Sequence, residues 1–384
     1  MRKLVLAIAL FSTTSWAQVN TVVQWNRILL TLLRTPGVQP ASIHPTRNLA
    51  ILHTAIFDAV TGSPNSPEAA AAAAAHIVLV ALYPPSAATL DAAFLQSLST
   101  IPDGPDKEEA IRIGEAAANR VLTSRANDGS ANPAPPLAID MRPGAYQSTP
   151  PNFPAAVFTG WSQVTPFALM SASQFRPGPP PELTSQTYVN DFNEVESLGI
   201  PRSPAASVDQ QLTGWFWNGA IQNYWNEIAQ TAAVAQGLTT AQTARLFALL
   251  NVSLADTVIA MYEAKYTYKF WRPVTAIRST DNSVWLPETK NTAADPSYPG
   301  AHAALSSAAA TVLASFFGSD RFSFHVTSEV FAGVDRSFSA FSDAAQEATF
   351  SRIYAGQHFR FDLTAGQQLG ASVSEFVLNN NLLP

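Results

Sequence analysis

A chain of 384 residues that is 47% hydrophobic and 13% charged holds enough apolar side chain for a sizeable core, which excludes a disordered or fibrous protein. The 28 acidic residues against 22 basic ones, with no basic run, argue against a nucleic-acid partner. Cysteine is absent, so disulfides, thiolate metal sites and thiol nucleophiles are excluded, leaving histidine, carboxylates, hydroxyls and cations for chemistry.

In chain order, residues 1–17 read as a secretory signal peptide. Arg2 and Lys3 precede an apolar run from Leu4 to Phe11, and small residues lead to a cut after Ala17. The expectation is a secreted or periplasmic protein whose mature charge is 20 minus 28, or −8. Residues 18–130 form a helical N-terminal half, with three- and four-residue apolar spacing in Val22 to Leu33, Asn48 to Val60, an alanine-rich stretch and Asp106 to Arg125. Residues 131–183 are a proline-rich connecting segment: 12 of the 28 prolines fall within residues 133–181. Such a segment is not helical, and Phe158, Trp161 and Phe167 predict that it lies packed across a surface, wrapping one half of the molecule.

Helical periodicity resumes over residues 184–384. Thr239 and Gln242 form a capping-box start, and the helix they open is expected to run to Arg272-Pro273. The fold class is all-α. The apolar runs Ala69 to Tyr83 and Ala303 to Phe317 are shorter than the roughly 20 residues a spanning helix needs, so no membrane span is expected.

Three clusters in this last third carry the chemistry. In "KYTYKFWRP", Lys265 and Arg272 stand close to two helical turns apart among aromatics, a half-buried setting in which two cations call for an anion. In "DPSYPGAHAAL", a proline-glycine turn delivers Gly300, Ala301 and His302 to the start of a long apolar helix, where free N–H groups and the dipole favour an oxyanion. In "SRIYAGQHFRFD", His358 and Asp362 are spaced i, i+4, so the carboxylate can hold one ring nitrogen and turn the other outward. Bringing Arg352 and His358 into one pocket requires a break near Gly356.

These three motifs, taken in order, resemble the signature of the vanadium-dependent haloperoxidase and type 2 phosphatidic acid phosphatase superfamily, and the chain looks most similar to bacterial vanadium haloperoxidase-like proteins. The resemblance implies helical bundles of that type. It implies that Lys265, Arg272 and Arg352 hold the equatorial oxygens of a vanadate cofactor, with backbone donors at Gly300 and Ala301. It also implies that His358, oriented by Asp362, bonds the metal and that His302 is the acid–base group. The activity implied is oxidation of halide by hydrogen peroxide to a hypohalous species that halogenates organic substrates. A secreted acid phosphatase working on a phosphate ester through a phosphohistidine is the alternative, and an oxyanion-binding protein without turnover is a third.

The chain departs from the family at Gly300, where relatives carry serine; the missing hydroxyl implies weaker vanadate binding, regained in Gly300→Ser. Seven residues before His302, where chloroperoxidases of the family tend to carry an aromatic residue, stands Asp295, so no halide preference carries over. His44, His53, His76 and His325 lack partners at ligand spacing and are expected to be structural. Asp256, in an apolar helix, is expected to pair with a cation, Arg352 being the candidate. Asn251-Val252-Ser253 formally matches a glycosylation acceptor but lies in helical sequence.

Overall fold

The capping box at Thr239 and Gln242 forms as expected, with each side chain bonded to the other residue's backbone, and the helix it opens is the axis around which the other helices assemble. The structure is a computed structural model that describes residues 20–138 and 140–380, so the expected signal peptide lies outside the described residues.

The N-terminal half is α1 (Thr21–Arg34), α2 (Pro45–Gly62), α3 (Pro67–Leu82), α4 (Ala87–Ser99) and α5 (Pro105–Arg125). The alanines from Ala69 to Ala75 are all fully buried, because a helix surface without long side chains lets α2 and α5 come close. At Gly114 of α5 a Cβ would sit 2.5 Å from the carbonyl oxygen of Ala70. The second half holds α6 (Gln186–Leu198), α7 (Val208–Phe216), α8 (Ile221–Ala235), α9 (Thr240–Tyr268), α10 (Pro273–Arg278), α11 (Ala301–Phe317), α12 (Phe341–Tyr354) and α13 (Arg360–Asn380).

From Thr243 to Lys265 every residue of α9 except Arg245 and Glu263 is buried, against α1, α2, α8, α11 and α13. By length and composition α9 is the one described helix that could cross a membrane, which the sequence reading of shorter runs passed over; here it is the core helix. Asn251 is fully buried and exchanges two 3.0 Å amide hydrogen bonds with Asn226, so it presents no glycosylation acceptor. One continuous apolar core runs from Val22 to Val377 through both halves.

The helix α9 ends earlier than expected. Lys269 takes the left-handed conformation (φ 49°) and closes it four residues before Pro273. The all-α reading stands with one addition, an antiparallel hairpin of β1 (Arg321–Thr327) and β2 (Asp335–Ala340). The alternation in "RFSFHVT" turns Phe322, Phe324 and Val326 toward the core, where both phenylalanines pack on Phe341.

The proline-rich segment does lie across the molecule without α-helix, and it props the site from outside. Tyr146 N–H donates to Lys269 O, Trp271 N–H donates to Gly144 O, and Val157 N–H donates to Ala294 O. Asp256 is held here too, accepting from the backbone N–H of Phe167, Ala168 and Leu169 at 2.7–2.9 Å. The expected pairing with Arg352 is therefore replaced by a cluster of main-chain donors, with Arg125 as the cation that favours the charge of the buried carboxylate.

Candidate active site

Arg272, Asp295, His302, Arg352 and His358 line one cavity of about 210 Å³, and Lys265 and Asp362 are buried behind that wall, against Asp295 and His358. Lys265 comes from the last turn of α9, Arg272 caps the N-terminus of α10, and Arg352 stands in the last turn of α12. His302 is the second residue of α11, and Asp362 lies in the first turn of α13. His358 sits in the turn between α12 and α13. Gly356, at φ 73°, makes that turn and brings His358 and Arg352 onto one wall, as the spacing required. Larger surface grooves, such as one of about 740 Å³ lined by Arg27, Glu227 and His325, hold no such cluster of buried cations.

Lys265 and Arg272 do converge, although not from one helical face, since Arg272 lies beyond the end of α9. Both clamp the loop before α11: Lys265 Nζ donates to Pro296 O and Ser297 O (3.3 Å), and Arg272 Nε donates to Asp295 O (2.8 Å). Arg272 Nη1 also reaches Gln357 O (3.0 Å) and His358 Nε2 (2.9 Å). Asp362 Oδ2 lies 3.1 Å from His358 Nδ1 and accepts from Ser297 Oγ (2.6 Å) and Phe359 N–H (3.0 Å). His358 thus carries its proton on Nδ1 and turns the lone pair of Nε2 toward Arg272.

His302 Nε2 lies 2.8 Å from Trp217 O, and Arg352 Nη2 donates to Asn218 Oδ1 (3.1 Å). Arg352 Nε is buried without an acceptor. Ala301 lines the cavity, whereas Gly300 gives its N–H to Asp362 O (2.9 Å) and is not among the lining residues. No side chain caps α11, so its first N–H groups remain to be satisfied at that end.

The electrostatics are those of a buried cationic pocket. Burial, and then the neighbouring cations, push His302 and His358 well below the ordinary histidine range, so both are neutral. Burial also brings Lys265 down to about 8 against the pull of Asp295, and lowers Arg352 to about 9. Asp362 is pushed up to about 7 by burial, against the hydrogen bond from Ser297.

Two participants carried no signal in the sequence. Ser297 bonds the carboxylate that orients His358, from a loop position with no motif spacing. His44 caps α2 through Thr46 and lines the cavity among Phe158, Trp161 and Tyr262, more than 100 residues of chain from its neighbours there. It caps α2, as a structural histidine would, and also lies on the cavity wall. The other three histidines are structural: His53 bonds Asn26 (2.8 Å), His76 bonds Asp91 and stacks on Phe94, and exposed His325 bonds Ser337.

Among the described residues no three histidines or carboxylates gather as ligands for a metal cation. What gathers is three cations, two neutral histidines and an uncapped helix start, the chemistry of an oxyanion site in a helical fold. Residues 245–382 match the family model of the VCPO second helical-bundle domain. The fold is similar to that of a bacterial vanadium-dependent iodoperoxidase, with a TM-score of 0.80 and 26% identity over 94% of this chain and 95% of the other. It is also similar to the holo form of a bacterial vanadium-dependent chloroperoxidase (TM-score 0.69, 16% identity, 91% and 95% covered) and to an apo form (0.67, 15%, 91% and 96%). No curated protein matches the sequence. The chain is thus similar in fold to bacterial vanadium haloperoxidases, and its C-terminal part matches a helical-bundle domain of that family.

Proposed function

We propose that this chain is a vanadate-dependent haloperoxidase, exported by its N-terminal signal peptide, that uses hydrogen peroxide to oxidise halide. The observation that carries the reading is the meeting of Arg272 and Arg352 with His358 and His302 at one cavity, with Lys265 buried behind its wall beside Asp295. The residues suit vanadate. The unpartnered Nε of Arg352 is a donor seeking an acceptor, three cations would offset a multiply charged oxyanion, and the neutral imidazole of His358 would offer it a nitrogen ligand.

In this reading Lys265, Arg272 and Arg352 hold the oxyanion's oxygens, and Asp362 and Ser297 fix the tautomer of His358 so that Nε2 is its ligand. His302 stays neutral at rest and takes or returns the proton of bound substrate. Vanadate, when bound, supplies Lewis acidity toward peroxide without changing oxidation state. Val258, Met261 and Leu305 give the cavity an apolar side, which lowers the local dielectric and strengthens each electrostatic contact.

The test is a side-by-side assay of the purified chain reconstituted with orthovanadate, for peroxide-dependent bromination and for aryl phosphate hydrolysis. Bromination that requires vanadate and is inhibited by phosphate is expected. Phosphatase turnover without bromination at any vanadate loading would establish the phosphatase alternative instead.

A further inference from the structure

Among the described residues Asp295 is the one acid that lines the cavity, Asp362 being buried behind His358. Asp295 is 5% exposed, accepts at Oδ1 from Arg272 Nη2, and lies 3.6 Å from Lys265 Nζ. The Tyr262 hydroxyl donates to it from α9. Burial opposes its charge, but Lys265 and Arg272 outweigh that and hold its pKa below the ordinary carboxylate value, so it is an anion. Two of the three cations assigned to the oxyanion are therefore already paired, and by a group on the wall that the oxyanion must approach.

From this geometry we propose that Asp295 is a built-in competitor for the oxyanion pocket, a specificity-determining residue that weakens binding of vanadate and phosphate. The inference rests on the reading of the cavity as an oxyanion site. Its physical basis is a charge count: Lys265, Arg272 and Arg352 supply +3, and Asp295 takes one unit back. An arriving oxyanion must compete for the same N–H groups and sit close to a like charge in a low-dielectric site. A purely structural role explains the carboxylate less well, because the loop is already clamped through its main chain. Arg272 Nε holds Asp295 O, and Lys265 holds the carbonyls of Pro296 and Ser297. Asparagine has the same shape, keeps those clamps and removes the charge.

The experiment titrates the full chain with orthovanadate and separately with inorganic phosphate by calorimetry, for wild type, Asp295→Asn, Asp295→Glu and Arg352→Ala. Asp295→Asn is expected to lower both dissociation constants by about tenfold or more, or about 1.4 kcal/mol. Asp295→Glu, which keeps the charge, is expected not to tighten binding. Without added anion Asp295→Asn should melt below wild type, since it leaves buried cations uncompensated, and phosphate should raise its melting temperature more than that of wild type. That thermal readout serves even if the variant is only marginally folded. Equal or weaker binding in Asp295→Asn, with wild type binding and Arg352→Ala failing to bind, overturns the inference and leaves the oxyanion site standing. No binding of either anion by wild type or Asp295→Asn overturns both.

Discussion

Arg272 Nη1 lies 2.9 Å from Nε2 of His358, so the nitrogen best placed to ligate vanadate is tied to a guanidinium that also serves Asp295 and the carbonyl of Gln357. One planar fork holds three partners in fixed directions, a geometry that the single nitrogen of lysine does not reproduce. Arg272→Lys should therefore weaken orthovanadate binding by about tenfold or more, because a hydrogen bond to a charged group is worth roughly 1.5–3 kcal/mol. Calorimetry against wild type checks it, and an unchanged affinity would remove Arg272 from the pocket.

The two active-site histidines should separate by role. His358→Ala should abolish vanadate attachment, since the only other cavity histidines are His302, bonded to Trp217 O, and His44, held at the start of α2. His302→Ala should keep the anion and lose turnover, by about 10²- to 10⁴-fold for a general acid–base group. Vanadium-51 resonance for binding and a halogenation assay for turnover distinguish them. Wild-type binding in both variants would refute the assignment.

Gly300→Ser reads differently in three dimensions than in sequence. The sequence expectation was tighter vanadate binding through a regained hydroxyl. The backbone at Gly300 (φ −76°) accepts any residue, but a Cβ would lie 3.0 Å from Leu363 Cδ2 and 3.4 Å from Asp362 O, directing the hydroxyl toward α13 rather than into the cavity. The vanadate dissociation constant should stay within about threefold of wild type, or less than about 1 kcal/mol. A tenfold gain would show that the serine reaches the oxyanion.

Gly370→Ala should be the costly glycine change. Its Cβ would fall 2.0 Å from the carbonyl oxygen of Ala304, inside the contact between α11 and α13. The two helices must separate, which for an overpacked core costs about 1–3 kcal/mol. They also carry His302 and Asp362, so stability to denaturant and activity should fall together.

Asp128 links α2 to the end of α5 by accepting from Arg47 (2.7 Å) and Arg125 (3.0 Å). Burial opposes its charge, but the bonds from Arg47 and Ser130 hold its pKa below the ordinary 3.8. A depressed carboxylate contributes stability above its unfolded value and loses it as pH falls through its folded one. Asp128→Asn should therefore melt below wild type at neutral pH, and the gap should close as pH drops below about 4. A gap independent of pH would mean that the charge contributes nothing.

The sequence by itself determined the helical class, the capped start of α9, the irregular proline-rich strap, the turn at Gly356 and the pairing of His358 with Asp362. Each rests on interactions within a few residues, where periodicity, a capping box, proline's missing donor or an i, i+4 contact acts locally. Only the tertiary structure decided where the buried charges find partners. Asp256 took three main-chain donors from the strap instead of Arg352, Ser297 joined the carboxylate behind His358, and His44 reached the cavity from the far end of the chain. Asp295, noted in sequence only as the residue seven before His302, became the counter-ion of Lys265 and Arg272. Such pairings depend on which elements pack together. The need of a buried charge for a partner is visible in composition, but the identity of that partner is set by a fold that joins residues hundreds of positions apart.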